Sequence, residues 1–266
     1  MMKNNGDHGY IQPYLHLYSV MVTITCIILG GMKSFAQDNH VALTRQHNVL
    51  ITGFYDWRGL GHPPEIYRCK ENPSCRVLTG VGVGERGYKG GLAKKLTQWS
   101  DNHPNVKVNF RVLPVTWKHL GLVKRDRYQI IIHLGLGVYD SFHNILIEEG
   151  AYNLHRGKDA MGHRLNQVIR PHQPTVLNAP IHIRRGIERA LKAKLPPPFS
   201  LTKVKAREKN TYLCNATHYE ALEFINKAMS TPLPETYFVH IPHREGDTDE
   251  ALTLAIFNII KALVLR

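Results

Sequence analysis

The sequence predicts an α/β protein: a single layered domain with a largely parallel, twisted sheet flanked by helices. Three observations lead there. Short apolar runs alternate with stretches whose apolar residues recur at helical spacing, from Asn48 to Leu265, a pattern that builds strand–helix–strand units. Tyr128 to Leu134 (Tyr-Gln-Ile-Ile-Ile-His-Leu) is apolar enough to lie at the centre of the sheet, covered on both faces. Composition agrees: 266 residues, 43% hydrophobic and 21% charged, sit near the globular norm and exclude disorder, collagen and coiled coil. At about 100–200 residues per domain, this length allows one large domain or two small ones, with core enough to fold without disulfides.

The elements follow in order. Asn48 to Thr52 is a short apolar run closed by Gly53, hence a buried strand. Gly59 to Gly87 is rich in Gly and Pro and reads as a long loop. Leu92, Leu96 and Trp99 mark a helix over Leu92 to Trp99. Val106 to Val112 and Tyr128 to Leu134 are strands, and Pro180 to Ala193 is a helix with Ile183, Ile187 and Leu191 on one face. Val204 to Leu213 reads as a strand leading to Cys214, followed by an amphipathic helix over Thr217 to Met229. A strand over Thr236 to Ile241 and a helix over Asp249 to Leu265 close the chain, with no internal repeat.

Lys+Arg 34 against Asp+Glu 21 gives a formal charge of +13. That excess permits anionic partners, but no run of five basic residues is present, so it reads as a solvated surface and no nucleic-acid partner is expected. At the amino terminus, Ile11 to Met32 lacks Asp, Glu, Lys and Arg, and Ser34-Phe35-Ala36 follows. An apolar stretch ending in small-x-small predicts a signal peptide over residues 1–36, with the folded domain at 37–266 and export to a periplasmic or secreted location. An uncleaved membrane anchor, or a cytoplasmic protein begun internally near Met21, are the alternatives. Cys26 leaves with such a leader. Cys69 and Cys75 bracket a turn-forming Lys-Glu-Asn-Pro-Ser stretch, so they form either a disulfide or two reduced thiols in a surface insertion.

Several motifs carry little. Gly82 to Gly87 fits a dinucleotide pattern, but no acidic residue closes a second strand about 20 positions on. No Gly-Lys-Ser/Thr phosphate loop is present. His240 and His243 have a spacing that a metal could use, but no cysteine or carboxylate pair accompanies them, so neither metal nor cofactor is expected. Asn215-Ala216-Thr217 is a formal glycosylation sequon at a strand–helix junction, where it is unusable.

The informative residues are Cys214, His240 and Glu148. Cys214 precedes a helix, whose amino terminus is expected to lower the thiol pKa; the alternative is a buried core cysteine. His240 ends a later strand, where ligand sites of α/β sheets gather. With an acid, the three types make a nucleophile, its base and a group that orients the base.

These segments resemble pyroglutamyl peptidase I (pyrrolidone-carboxylate peptidase), a cysteine peptidase family. Val49-Leu50-Ile51-Thr52-Gly53-Phe54 is similar to its first strand, Leu113-Pro114-Val115 to a short Pro-containing segment, and Ile131 to Gly135 to its central strand. Glu148 to Asn153 (Glu-x-x-x-x-Asn), Tyr212 to Asn215 (Tyr-Leu-Cys-Asn) and Phe238 to Pro242 (Phe-Val-His-Ile-Pro) follow in family order, and the likeness runs from Val49 to the carboxyl terminus. The resemblance implies a Cys214–His240–Glu148 triad, removal of N-terminal pyroglutamate from peptides, no cofactor and, possible in this family, a homo-oligomer. It implies a lactam slot of Phe54, Trp57, Val115, Leu136, Tyr212 and Leu213. The chain departs from the family at Leu136, where some members carry glutamine, at Gly137 to Asp140, at Arg156 to Ala160, and in a longer loop over Gly59 to Gly91. Two other functions stay open: a thiol amidase of altered specificity on this fold, and a catalytically silent protein bound to an anionic envelope.

Overall fold

The computed structural model describes residues 46–56, 69, 72–80, 90–137, 142–230, 232–242 and 250–265. The expected signal peptide over 1–36, Trp57, the glycine run at 82–87 and His243 lie outside the described residues.

Strand β1 (His47–Phe54) carries Val49, Leu50 and Ile51 with almost no exposed surface, as a strand covered on both faces must. It lies between β2 (Val106–Leu113) and β3 (Ile130–Gly137), both parallel to it. Beyond β3 comes β10 (Glu235–Pro242), parallel again and buried along its whole length. Next, β4 (Asn144–Glu148) runs antiparallel to β10, and β9 (Ser200–Val204) lies parallel to β4 at the edge. The six-stranded order is therefore β2-β1-β3-β10-β4-β9. Two antiparallel ribbons, β5 (Gly150–Tyr152) with β8 (Val176–Asn178) and β6 (His155–Lys158) with β7 (Arg164–Gln167), sit between β4 and the next helix.

Helices α1 (Pro73–Thr79), α2 (Gly91–Asp101), α3 (Ile181–Ala190) and α5 (Glu250–Val264) pack their apolar residues with Val49, Ile51, Ile132, Leu134, Tyr237 and Val239. On the other face α4 (Leu213–Lys227) places Leu213 with Leu50, Ile131 and Phe238. The predicted α/β class, with a mostly parallel sheet flanked by helices, is the architecture observed. Among the described residues, no helix is long and apolar enough to cross a membrane.

Two readings are corrected. The region over Gly59 to Gly87 is not all loop, because it contains α1. Its Asn, Pro and Gly are helix punctuation: the Asn72 carboxamide oxygen accepts from Ser74 N at 3.0 Å, Pro73 opens the first turn, and Gly80 ends it at φ 63°. Val204 to Leu213 is not a strand, because β9 ends at Val204. Lys205 to Asn210 is polar, with no apolar face to bury, and it turns back through Asn210 N–H donating to Arg207 O at 3.0 Å.

Gly186 lies where α3 crosses β10. A Cβ there would run into the hydroxyl of fully buried Tyr237, which donates to Glu235 Oε2 at 2.5 Å. Alanine is the better helix former by about 1 kcal/mol, yet Gly186→Ala should destabilise the protein by about 1–3 kcal/mol through overpacking. Urea unfolding with an unchanged slope is the measurement, and equal or greater stability would refute it.

Candidate active site

Strand register builds the site. His240 on β10 pairs with Gly135 on β3 and with Leu146 on β4. Glu148 stands two residues beyond Leu146, so it shares the sheet face of His240. Their side chains meet: His240 Nε2 lies 2.6 Å from Glu148 Oε1, with both residues buried. A carboxylate only accepts, so Nε2 carries the proton, and in the neutral ring Nδ1 keeps the lone pair. Nδ1 lies 3.3 Å from Leu136 O. That carbonyl is placed to accept from Nδ1 when Nδ1 carries a proton.

Cys214 is the second residue of α4. Asn215 pins this helix start beside the acid-bearing segment: its Oδ1 accepts from Tyr152 N at 2.7 Å, and its Nδ2 donates to Tyr152 O at 2.8 Å. Buried and committed in this way, Asn215 has no room for a glycan. A Cβ on Gly135 would lie 2.9 Å from Cys214 Sγ and 2.6 Å from Phe238 Cε1. The sulfur therefore sits directly over Gly135, beside the strand position of His240. Only a glycine leaves that space.

The expected lowering of the thiol pKa is not what the environment produces. Burial pushes the Cys214 thiol up to about 12, and the Glu148 carboxylate adds to the rise. The thiol's own backbone N–H, in the first turn, opposes this only weakly. The helix-end field was legible; the desolvation was not.

A cavity of about 550 Å³ opens beside the sulfur. Phe54, Val115, Leu136, Tyr212 and Leu213 line it together with Cys214, so the structure brings together every described residue assigned to the slot. Asn72, Lys158, Asp159 and Ala160 also line it, which sequence reasoning missed. Asp159 accepts from Trp117 N and His163 N at 3.1 and 2.8 Å. Its carboxyl is pushed up by burial but held below its ordinary value overall by these bonds. Tyr212 donates from its hydroxyl to Lys158 O at 2.8 Å and packs edge-on against Trp117. Burial, with Asp159 and Cys214, raises that phenol to about 12. Glu149, beside the acid, faces Lys203 at 3.3 Å instead.

Two more groups escaped the sequence. Asn210 Nδ2 donates to Glu148 Oε1 at 2.8 Å. His218, fully buried one turn after Cys214, lies with its ring 5.9 Å from that of Phe238. Neither of its nitrogens makes a well-formed hydrogen bond. The i, i+4 spacing from Cys214 is the one signal that could have found it. Cys69 and Cys75 stand as a disulfide with Cα atoms 5.1 Å apart. Among the described residues, no group of three His, Cys, Asp or Glu is arranged to hold a metal.

Solved structures share this fold. A pyrrolidone carboxyl peptidase from Thermococcus litoralis superposes with a TM-score of 0.55 and 23% identity, over 82% of this chain and 94% of its own. The fold is that of the pyrrolidone carboxyl peptidases. Pyroglutamyl peptidase I from Bacillus amyloliquefaciens gives 0.54 and 19%, over 82% and 96%. A mutant pyrrolidone carboxyl peptidase from Pyrococcus furiosus gives 0.52 and 20%, over the same shares. No family model matches the sequence, and no curated protein does. In this chain the end of β4 meets β10 through the His240–Glu148 bond, and the start of α4 sets the Cys214 sulfur over Gly135, the β3 partner of His240.

Two measurements follow from the burial of these groups. A thiol held near 12 should be alkylated by iodoacetamide at neutral pH no faster than a free cysteine, with a rate still climbing above pH 9. Peptide mapping at Cys214 checks this, and a plateau below pH 7 would sink it. The second concerns acid stability. Burial lowers both His218 and His155 to about 4, with Arg170 adding to the effect on His155. Below pH 6.5 the unfolded chain takes up protons that the folded chain refuses. Stability is therefore full above that pH and falls between about 6.5 and 4. His218→Phe should flatten part of this fall in a Tm-against-pH series; an unchanged slope would exclude His218 as a contributor.

Proposed function

We propose that this protein is a cysteine peptidase that removes an N-terminal pyroglutamyl residue from peptides. One observation carries the reading: the 2.6 Å bond between His240 and Glu148 lies beside the Cys214 sulfur, at the wall of an apolar cavity. Pyroglutamate is compact and neutral, so an apolar slot suits it. The fold shared with pyroglutamyl and pyrrolidone carboxyl peptidases supports the same reading.

In this reaction the Cys214 thiol gives its proton to His240 Nδ1 as the sulfur attacks the carbonyl carbon that links pyroglutamate to the next residue. The neutral thiol of the free protein favours a transfer coupled to attack over a standing thiolate. Glu148 holds the Nε2–H, and Leu136 O accepts from the new Nδ1–H. The first turn of α4 has no side-chain cap, so its N–H groups, including that of Cys214, suit the developing oxyanion. Collapse expels the amine, which takes the proton back from His240. Water, deprotonated by His240, then releases pyroglutamate from the thioester.

Leu136 favours one second reading, a thiol amidase of altered specificity. It presents an aliphatic wall to the cavity, which accepts an apolar acyl group as readily as a lactam. Export belongs to the proposal as well: the leader ends in Ser34-Phe35-Ala36, and a Cys69–Cys75 disulfide fits an oxidising compartment.

Release of a chromophore from pyroglutamyl, prolyl, glutaminyl and alanyl amides tests the reading, with the pyroglutamyl amide cleaved fastest. Cys214→Ala should abolish turnover, and adding His240→Ala should cost little more, because the groups act as a unit. Glu148→Gln should lower kcat by about 10²–10⁴-fold, and Glu149→Gln should leave it within about twofold. Full activity in Cys214→Ala would end the thiol mechanism, and preference for another amide would select the second reading.

A further inference from the structure

We propose that Asn210 is a positioning residue, whose carboxamide holds the Glu148 carboxylate in the orientation that meets His240. The inference rests on the cysteine-peptidase reading above. Glu148 Oε1 receives two groups at once, Asn210 Nδ2 at 2.8 Å and His240 Nε2 at 2.6 Å. A glutamate has three rotatable side-chain bonds, and a single donor leaves its terminal torsion broad. Two donors converging on one oxygen remove that freedom. Because a carboxylate only accepts, the amide must present nitrogen here, and its orientation is fixed by chemistry.

The placement of Asn210 is itself constrained. Its N–H donates to Arg207 O at 3.0 Å, and the next carbonyl, Thr211 O, accepts from Arg156 N at 2.8 Å. Asn210 stands four residues before Cys214, so the loop that delivers the nucleophile to α4 also touches the acid. On the neighbouring strand, Glu149 N–H donates to Val204 O at 2.8 Å, which anchors the end of β4 from the other side. The choice of an amide matters: a lysine would cancel the carboxylate's charge, whereas a neutral donor leaves a full anion to stabilise the imidazolium. The titratable groups facing Glu148 are His240 from β10 and Cys214 and His218 from α4. The nearby ammonium of Lys203, on β9, is occupied by Glu149 and Glu188.

Three variants separate positioning from packing. Asn210→Leu keeps the volume and removes the donor; Asn210→Asp replaces it with an anion; Asn210→Gln keeps an amide. The readouts are kcat and KM on a pyroglutamyl chromogenic amide, the acidic limb of kcat/KM against pH, and the ring titration of His240 by NMR. Asn210→Leu should lower kcat by about 10-fold with KM within about twofold. Asn210→Asp should move both the acidic limb and the His240 titration to higher pH, since a second anion favours the imidazolium. Asn210→Gln should recover part of kcat. The proposal is overturned if Asn210→Leu keeps kcat within twofold, or if Asn210→Asp leaves the His240 titration at its wild-type position. Should Asn210→Leu fail to fold, the Asp and Gln variants decide. If the wild-type protein leaves pyroglutamyl amides intact, the functional reading falls, and the His240 titration alone decides for Asn210.

Discussion

The site depends on the reversal of one strand. Four parallel strands bring His240 beside Gly135, but their one acid, Glu235, is bound to Tyr237 and not to His240. The antiparallel β4 supplies the acid, by placing Glu148 on the same face two positions past the partner of His240. A buried imidazole and a buried carboxylate are each expensive alone, and a charged pair in the interior survives only when its hydrogen bonds are met. Here the carboxylate oxygen is shared between the histidine and a neutral amide.

Gly135 is the second constraint. The space denied to its side chain is filled by the Phe238 ring and the Cys214 sulfur. The Phe238 ring in turn lies 4.9 Å from that of His240 and 6.0 Å from that of His133. His133 is fixed through Nδ1 to Thr52 Oγ1 at 2.7 Å on the adjacent β1. The face that carries the candidate site is thus a row of rings on small and polar neighbours, while the opposite face is packed mainly by aliphatic side chains. That asymmetry explains why the polar residues Thr52, His133, Glu148, Thr236 and His240 are all buried.

The four parallel strands were legible from their apolar residues, in Asn48–Thr52, Val106–Val112, Tyr128–Leu134 and Thr236–Ile241, whereas β4, only five residues long, and β9, largely exposed, were not read as strands. The ribbons between β4 and α3 were not, because half-exposed segments such as Arg164–Gln167 bury no alternating face. Glu148, Cys214 and His240 could be singled out because each lies in a segment with a family likeness. Asn210 and His218 have no such signal: one sits in a charged loop, the other on a helix face that reads as core. Their neighbours are set by tertiary pairing across 62 positions in one case. The thiol was misjudged for a related reason, since sequence reveals where a helix starts but not how dry its first turn is.

The raised thiol of Cys214 also bears on its oxidation. Thiolates, far more than thiols, attack peroxides and disulfides, so a sulfur kept protonated by its surroundings is slow to form sulfenic acid or mixed disulfides. The burial that raises Cys214 therefore acts as chemical storage, because it slows oxidation of the free thiol. Elsewhere in the chain, Cys69 and Cys75 have spent their thiols on structure. One chain thus keeps sulfur in two forms, one locked by a bond and the other guarded by a proton.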